Sequence, residues 1–176
     1  TIGMANIGKL DASNREETRT AKQLATMLLG LKREQLKAQT NVLLDAAQAD
    51  NELASSIAVA ALLISGQSHQ DLDKLTVDQS GQLAFLDAIP MLPETAQRAA
   101  FRSRVVRLLE TSKNDRLSNA AIRTLGFVPN EVTDTFSRLV PLLANDKIRA
   151  STVRTLLTVP LKERAADASL NATNFL

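Results

Sequence analysis

Cysteine is absent from the 176 residues. Disulfides, thiolate metal ligands and cysteine nucleophiles go with it, while the cellular compartment stays open. Tryptophan and tyrosine are absent too, and five Phe supply all of the 3% aromatic content. The core must then be Leu, Ala, Val and Ile, which suits closely packed helices better than a β-sandwich. The single histidine, His69, stands among Ser68, Gln70 and Asp71 in a polar stretch, and no G-x-S-x-G elbow accompanies it. One histidine without cysteine leaves no ordinary zinc site. Gly-rich dinucleotide and phosphate-loop fingerprints are missing as well. Asp71, Asp73 and Asp78 cluster, but Lys74 and Val77 stand where a calcium loop needs oxygen ligands and glycine.

Long apolar runs are missing. The longest, "IAVAALLI" at 57–64, has the length of a core helix and falls well short of the roughly 20 residues of a membrane span. The start, "TIGMANIGKL", has no charged segment leading into an apolar one, and Thr1 stands where an initiator Met would. The expectation is a processed chain or a piece of something longer. These absences lead to the expectation of a protein that is not an enzyme, with no catalytic, cofactor-binding or metal-binding residue and no membrane span.

What is present is a mildly polarised charge and a repeat. The net charge of +2 divides unevenly. Residues 1–100 carry 9 basic and 12 acidic side chains, and residues 101–164 carry 12 basic and 6 acidic ones. The C-terminal half can therefore attract an acidic partner. Within it, "NDRLSNAAIRTLGFVP" (114–129) is written again as "NDKIRASTVRTLLTVP" (145–160), with seven identities and three close replacements in sixteen positions. A period of about thirty residues signals stacked supersecondary units.

Each copy is a helix with a start and a stop. Asn114 and Asn145, or the aspartates that follow them, can cap the first free backbone N–H groups. Leu117, Ala121, Leu125 and Val128 share one face, as do Ile148, Thr152, Leu156 and Val159. Pro129 and Pro160 end each copy. Between them Val132, Phe136, Leu139, Val140 and Leu143 keep helical spacing, and Pro141 predicts a kink or an early end. The spacing and the breakers at Gly30, Gly66, Gly81, Pro90 and Pro93 predict helices over 14–29, 32–48, 51–64, 79–88, 94–111, 115–126, 130–143, 147–158 and 162–175. The first opens with a capping box at Ser13 and Glu16. Residues 65–82 read as an irregular connection with a short turn around 72–75.

The repeated stretch resembles HEAT repeats. Asp146, Ile148, Arg149 and Leu156 fit that pattern in one copy, and Asp115, Leu117, Ala121, Leu125 and Gly126 in the other. Ser118, Thr152 and Leu157 depart from it. The likeness covers about 113–160, with a fainter copy at 20–30 through Lys22, Ala25, Leu29 and Gly30. It implies an all-α fold of antiparallel helix pairs stacked as a solenoid, a single helical-repeat domain over 1–176. The function it implies is a non-catalytic scaffold for protein–protein interaction or assembly, with a protein partner or the remainder of a larger chain.

Two other readings stand beside it. Residues 154–176 resemble the helical region that joins propeller-type dehydrogenase and haem domains in large bacterial proteins. That implies an accessory segment, because the haem motif C-x-x-C-H is absent here. A nucleic-acid-binding helical-repeat domain is the other alternative, since Arg98, Arg102, Arg104 and Arg107 crowd one predicted helix. On a helical wheel, however, they flank the apolar stripe rather than forming one track. Candidate partner contacts are Arg123 and Arg154, which recur at equivalent places, and Leu170, Phe175 and Leu176, which leave the last predicted helix poorly capped.

Overall fold

The computed structural model describes residues 15–67, 69–129 and 132–159. Among them the fold is all-α, with no strand. No helix there is long and apolar enough to cross a membrane. The chain divides into two compact units, Thr1–Leu92 and Pro93–Leu176.

In the first unit α1 (Arg15–Leu29), α2 (Arg33–Lys37) and α3 (Thr40–Ala47) lead into α4 (Glu52–Ser65). Helices α5 (His69–Leu75) and α6 (Gln79–Ala88) follow, and a 3₁₀ turn, η1 (Ile89–Met91), closes the unit. The apolar run seen in the sequence is the centre of α4. Because α4 is apolar on every side, it has to be enclosed, and α1, α2, α3, α6 and η1 all pack on it. Ala58, Ala60, Ala61 and Leu62 have no accessible surface. Its hydroxyls are satisfied locally: Ser55 Oγ donates to the Ala47 carbonyl at 2.6 Å and Ser65 Oγ to the Leu62 carbonyl at 2.7 Å.

Both ends of α4 are finished. Asn51 accepts a hydrogen bond from Ala54 N at the start. At the other end Gly66 takes the left-handed conformation at φ 78°. Gln67 N then bonds to the Leu62 carbonyl and Gly66 N to that of Leu63. Arg33 Nε adds a bond to the Ser65 carbonyl at 3.0 Å.

Several boundaries differ from the expected ones. The helix expected over 32–48 is broken between α2 and α3, where the Thr40 hydroxyl takes the Lys37 carbonyl at 2.7 Å. The stretch 65–82 contains a true helix, α5, because Leu72 and Leu75, one turn apart, both bury. Gly81 is no breaker. It lies in the first turn of α6, where a Cβ would come within 1.8 Å of the Leu75 carbonyl oxygen. The missing side chain is what lets α5 and α6 approach.

The second unit holds the repeat. Its elements are α7 (Thr95–Ala100), α8 (Arg102–Thr111), α9 (Asp115–Leu125), α10 (Val132–Leu139), a 3₁₀ stretch η2 (Val140–Ala144) and α11 (Asp146–Thr158). Both asparagine caps form: Asn114 Oδ1 accepts from Arg116 N at 2.9 Å, and Asn145 Oδ1 from Lys147 N at 3.1 Å. The two expected apolar faces are buried throughout. Leu117, Ala121, Leu125 and Val128 are at most 6% exposed, and Ile148, Thr152, Leu156 and Val159 at most 7%. Pro141 ends the α-helical hydrogen bonding of α10 early, and the chain tightens into η2, with Val140 and Leu143 still buried.

Helix α9 packs on α8 and on α11, while α11 packs on η2 and α10. Phe101, with φ −96° and ψ 0°, separates α7 from α8 where one helix was expected. No proline or glycine marks that break. The residues on either side are drawn to different partners, Arg98 to the Phe127 carbonyl and Arg102 to Asp134.

Candidate interaction surface

Among the described residues of the second unit two sets of ion pairs join one helix to another, and Arg149 pairs with Asp146 within α11. The first joins α8 to α10. Arg102, only 9% exposed, donates Nη2 to Asp134 at 2.7 Å and to Thr135 Oγ1 at 2.9 Å. Arg138 donates Nε to the same carboxylate at 2.8 Å and reaches Glu110 with Nη1. Burial pushes the Asp134 carboxyl up, but the hydrogen bonds and charges of Arg138 and Arg102 outweigh it and hold the group below its ordinary value. The second set joins α9 to α11: Lys147 Nζ lies 3.0 Å from Asp115, and Asn119 Nδ2 donates to the Lys147 carbonyl at 3.3 Å.

Arg123 and Arg154 are both exposed, one in the last turn of α9 and the other on the neighbouring helix α11. The repeat therefore carries both cations outward from helices that pack side by side. Leu170, Phe175 and Leu176 lie outside the described residues, as does the helix expected over 162–175. So does Ser13 of the expected capping box.

The four crowded arginines do not form a track. Arg98 spends its guanidinium on the Phe127 carbonyl and on Thr95 Oγ1. Arg102 is buried in the Asp134 pair, Arg104 is half-buried and Arg107 is exposed. The acidic cluster is likewise engaged locally. Asp71 accepts from Gln67 Nε2 at 3.0 Å and pairs with Lys74, while Asp78 caps α6 by accepting from Gly81 N at 2.8 Å. His69 opens α5 instead of standing in a loop.

In the first unit an open pocket of about 360 Å³ lies between the α3–α4 and α5–α6 turns, lined by Gln48, Asp50, Lys74, Asp78 and Ser80 among others. Two of its charges are those already paired, Lys74 with Asp71 and Asp78 with the α6 terminus.

The α8–α10 network was not read from the sequence, and the repeat does not signal it, because an offset of 31 puts Thr133 at the place of Arg102 and Ser103 at the place of Asp134. The offset of 31 that relates Asn114 to Asn145 also relates Arg107 to Arg138, Leu108 to Leu139 and Leu109 to Val140. The sequence likeness thus extends upstream into α8 and α10. Comparison of the chain with protein families, with curated proteins and with solved structures gave no match.

Proposed function

We propose that this chain is a HEAT-like helical-repeat scaffold that works by presenting surface to a protein partner or to the remainder of a larger chain. In this reading α8 with α9 is one helix pair, α10 and η2 with α11 is the next, and the two stack as the start of a solenoid. The observation that supports it is the packing of α9 on α11, the two helices that carry the repeated sixteen-residue stretch. The short connections at 112–114 and 126–131 support antiparallel pairing within and between the hairpins. No residue is given a catalytic role. Recognition is assigned to Arg123 and Arg154, which are exposed, and to Leu170, Phe175 and Leu176 in the sequence beyond the described residues.

The test is site-specific photo-crosslinking from positions 123 and 154 in cells of the native source, with the protein adducts identified. A discrete protein adduct, lost in the Arg123→Glu/Arg154→Glu double variant, is the expected result. Adducts to nucleic acid alone, with binding that weakens steeply between two salt concentrations, would replace this reading with the nucleic-acid one.

A further inference from the structure

Two separate features of the second unit converge where α9 and α11 end. The first is apolar. Among the described residues of this unit the exposed large hydrophobic side chains are Phe127, at 57%, and Leu157, at 70%. The ring of Phe136, in the same unit, is buried at 2% exposure.

The second is charge. Arg123 and Phe127 lie one turn apart at the end of α9, and the offset of 31 relates them to Arg154 and Thr158 on α11. All four are exposed. The two helix ends meet at Gly126, where a Cβ would lie 3.3 Å from Thr155 Cγ2 and 3.5 Å from Thr158 Oγ1. Gly126 is exposed as well, so no side chain projects from the floor at that junction.

Carboxylates are absent from this end. At the starts of the same helices Asp115 pairs with Lys147 and Asp146 with Arg149. Beyond those aspartates neither 116–129 nor 147–160 contains Asp or Glu. A cation suits the last turn of α9, where the helix dipole is negative. That accounts for Arg123, but not for an exposed Phe and Leu beside two repeated arginines. The backbone that carries the Phe127 ring is also fixed. Its N–H donates to the Thr124 carbonyl at 2.9 Å, and its carbonyl accepts from Arg98 Nε at 3.1 Å. A ring presented from a held backbone costs less ordering on binding.

We infer that Arg123 and Phe127 of α9, with Arg154 and Leu157 of α11, form a docking site for an acidic peptide segment of a partner protein. That segment carries a large apolar side chain among its carboxylates. The inference rests on the scaffold reading above and adds to it the chemistry of the partner. Carboxylates answer the planar guanidinium groups, and the apolar side chain takes Phe127 and Leu157 out of water. Aromatic and Arg side chains are also those that concentrate binding energy at protein interfaces. A nucleic acid would use the arginines and stack on Phe127, but it has nothing for the aliphatic Leu157.

The test selects peptides from a random display library on the immobilised full chain. Recovered peptides are titrated by fluorescence anisotropy against the parent, an Arg123→Ala/Arg154→Ala variant and a Phe127→Ser/Leu157→Ser variant. All four positions are exposed, so both variants should keep the parent's circular dichroism. The expected result is enrichment of Asp and Glu around an aromatic or aliphatic residue. Affinity should fall at least tenfold in each variant, and again when the peptide's carboxylates become amides. Backbone amide shifts of the parent on adding peptide should centre on 123–128 and 154–158, a readout that needs no variant.

Several results would overturn the inference. They are selection without acidic enrichment, affinity unchanged in either variant, and amide shifts centred elsewhere. Tighter binding of oligothymidine than of any recovered peptide would give the edge to nucleic acid. Self-association of the chain, lost in the same variants, would give it to a second copy. A protein adduct at 123 or 154 in cells, found without acidic selection here, would keep the scaffold reading and remove this one.

Discussion

Leu156 and Leu157 are neighbours in the chain, yet 7% of one and 70% of the other is exposed. Truncating each to alanine should therefore separate them sharply. Leu156→Ala removes roughly three methylene equivalents from the packed side of α11, about 2.4 kcal/mol of transfer free energy at ~0.8 kcal/mol each. A residual cavity of roughly 40 Å³ adds about 1 kcal/mol at ~24 cal/mol per Å³, giving a loss of about 3 kcal/mol. Leu157→Ala removes the same atoms from solvent-facing surface and should stay within roughly 0.5 kcal/mol of the parent.

The assay is urea unfolding followed by far-UV circular dichroism, comparing midpoints at a common slope. Because the chain forms two compact units, it can unfold in two steps. The transition to compare is then the one that shifts in a Leu125→Ala control, since Leu125 is buried at 2% on α9 of the same unit. Equal losses at 156 and 157, or a larger loss at 157, would refute the assignment of the α11 faces.

Asn114→Ala and Asn145→Ala should each cost about 1 kcal/mol by removing the hydrogen bonds that open α9 and α11, measured in the same titration. Gly81→Ala should be far more damaging than Gly30→Ala, by about 2 kcal/mol or more. Its Cβ would press on the Leu75 backbone, whereas at Gly30 the closest atom, the Thr26 carbonyl oxygen, is 3.3 Å away. Comparable melting temperatures for the two variants would count against the close approach of α5 and α6.

The carboxyl of Asp134 is held below its ordinary value of 3.8. Its stabilising contribution is therefore present above that pH and is lost as pH falls through the lowered folded value. Asp134→Asn should lower stability at pH 7 by about 1 kcal/mol or less, because the pair is partly solvated. It should also flatten the acid limb below about pH 4. An unchanged acid limb would show that the Arg102–Asp134–Arg138 cluster does not contribute.

The sequence by itself determined the local design. Periodic leucines, asparagine caps and the two Val-Pro stops are instructions read within one or two turns of helix, and the all-α class, the faces of α9 and α11 and the early end of α10 at Pro141 follow from them. The same holds for the core helix in "IAVAALLI", since a segment apolar all round has no stable place except inside.

Only the tertiary structure decided the rest. The break at Phe101 arises because Arg98 and Arg102 are anchored to groups 29 and 32 residues away, and no local pattern records such distances. The role of Gly81 depends on a carbonyl contributed by a different helix, so a glycine that looked like a stop serves as a contact. Of the arginines that looked like one basic helix, Arg98 caps a carbonyl and Arg102 fills a buried ion pair, while Arg104 is half-buried and Arg107 exposed. That α9 lies against the Thr155 side of α11 was decided by the packing of the two helices. Burial belongs to pairs of surfaces, and a single chain pattern lists the surfaces without saying which of them meet.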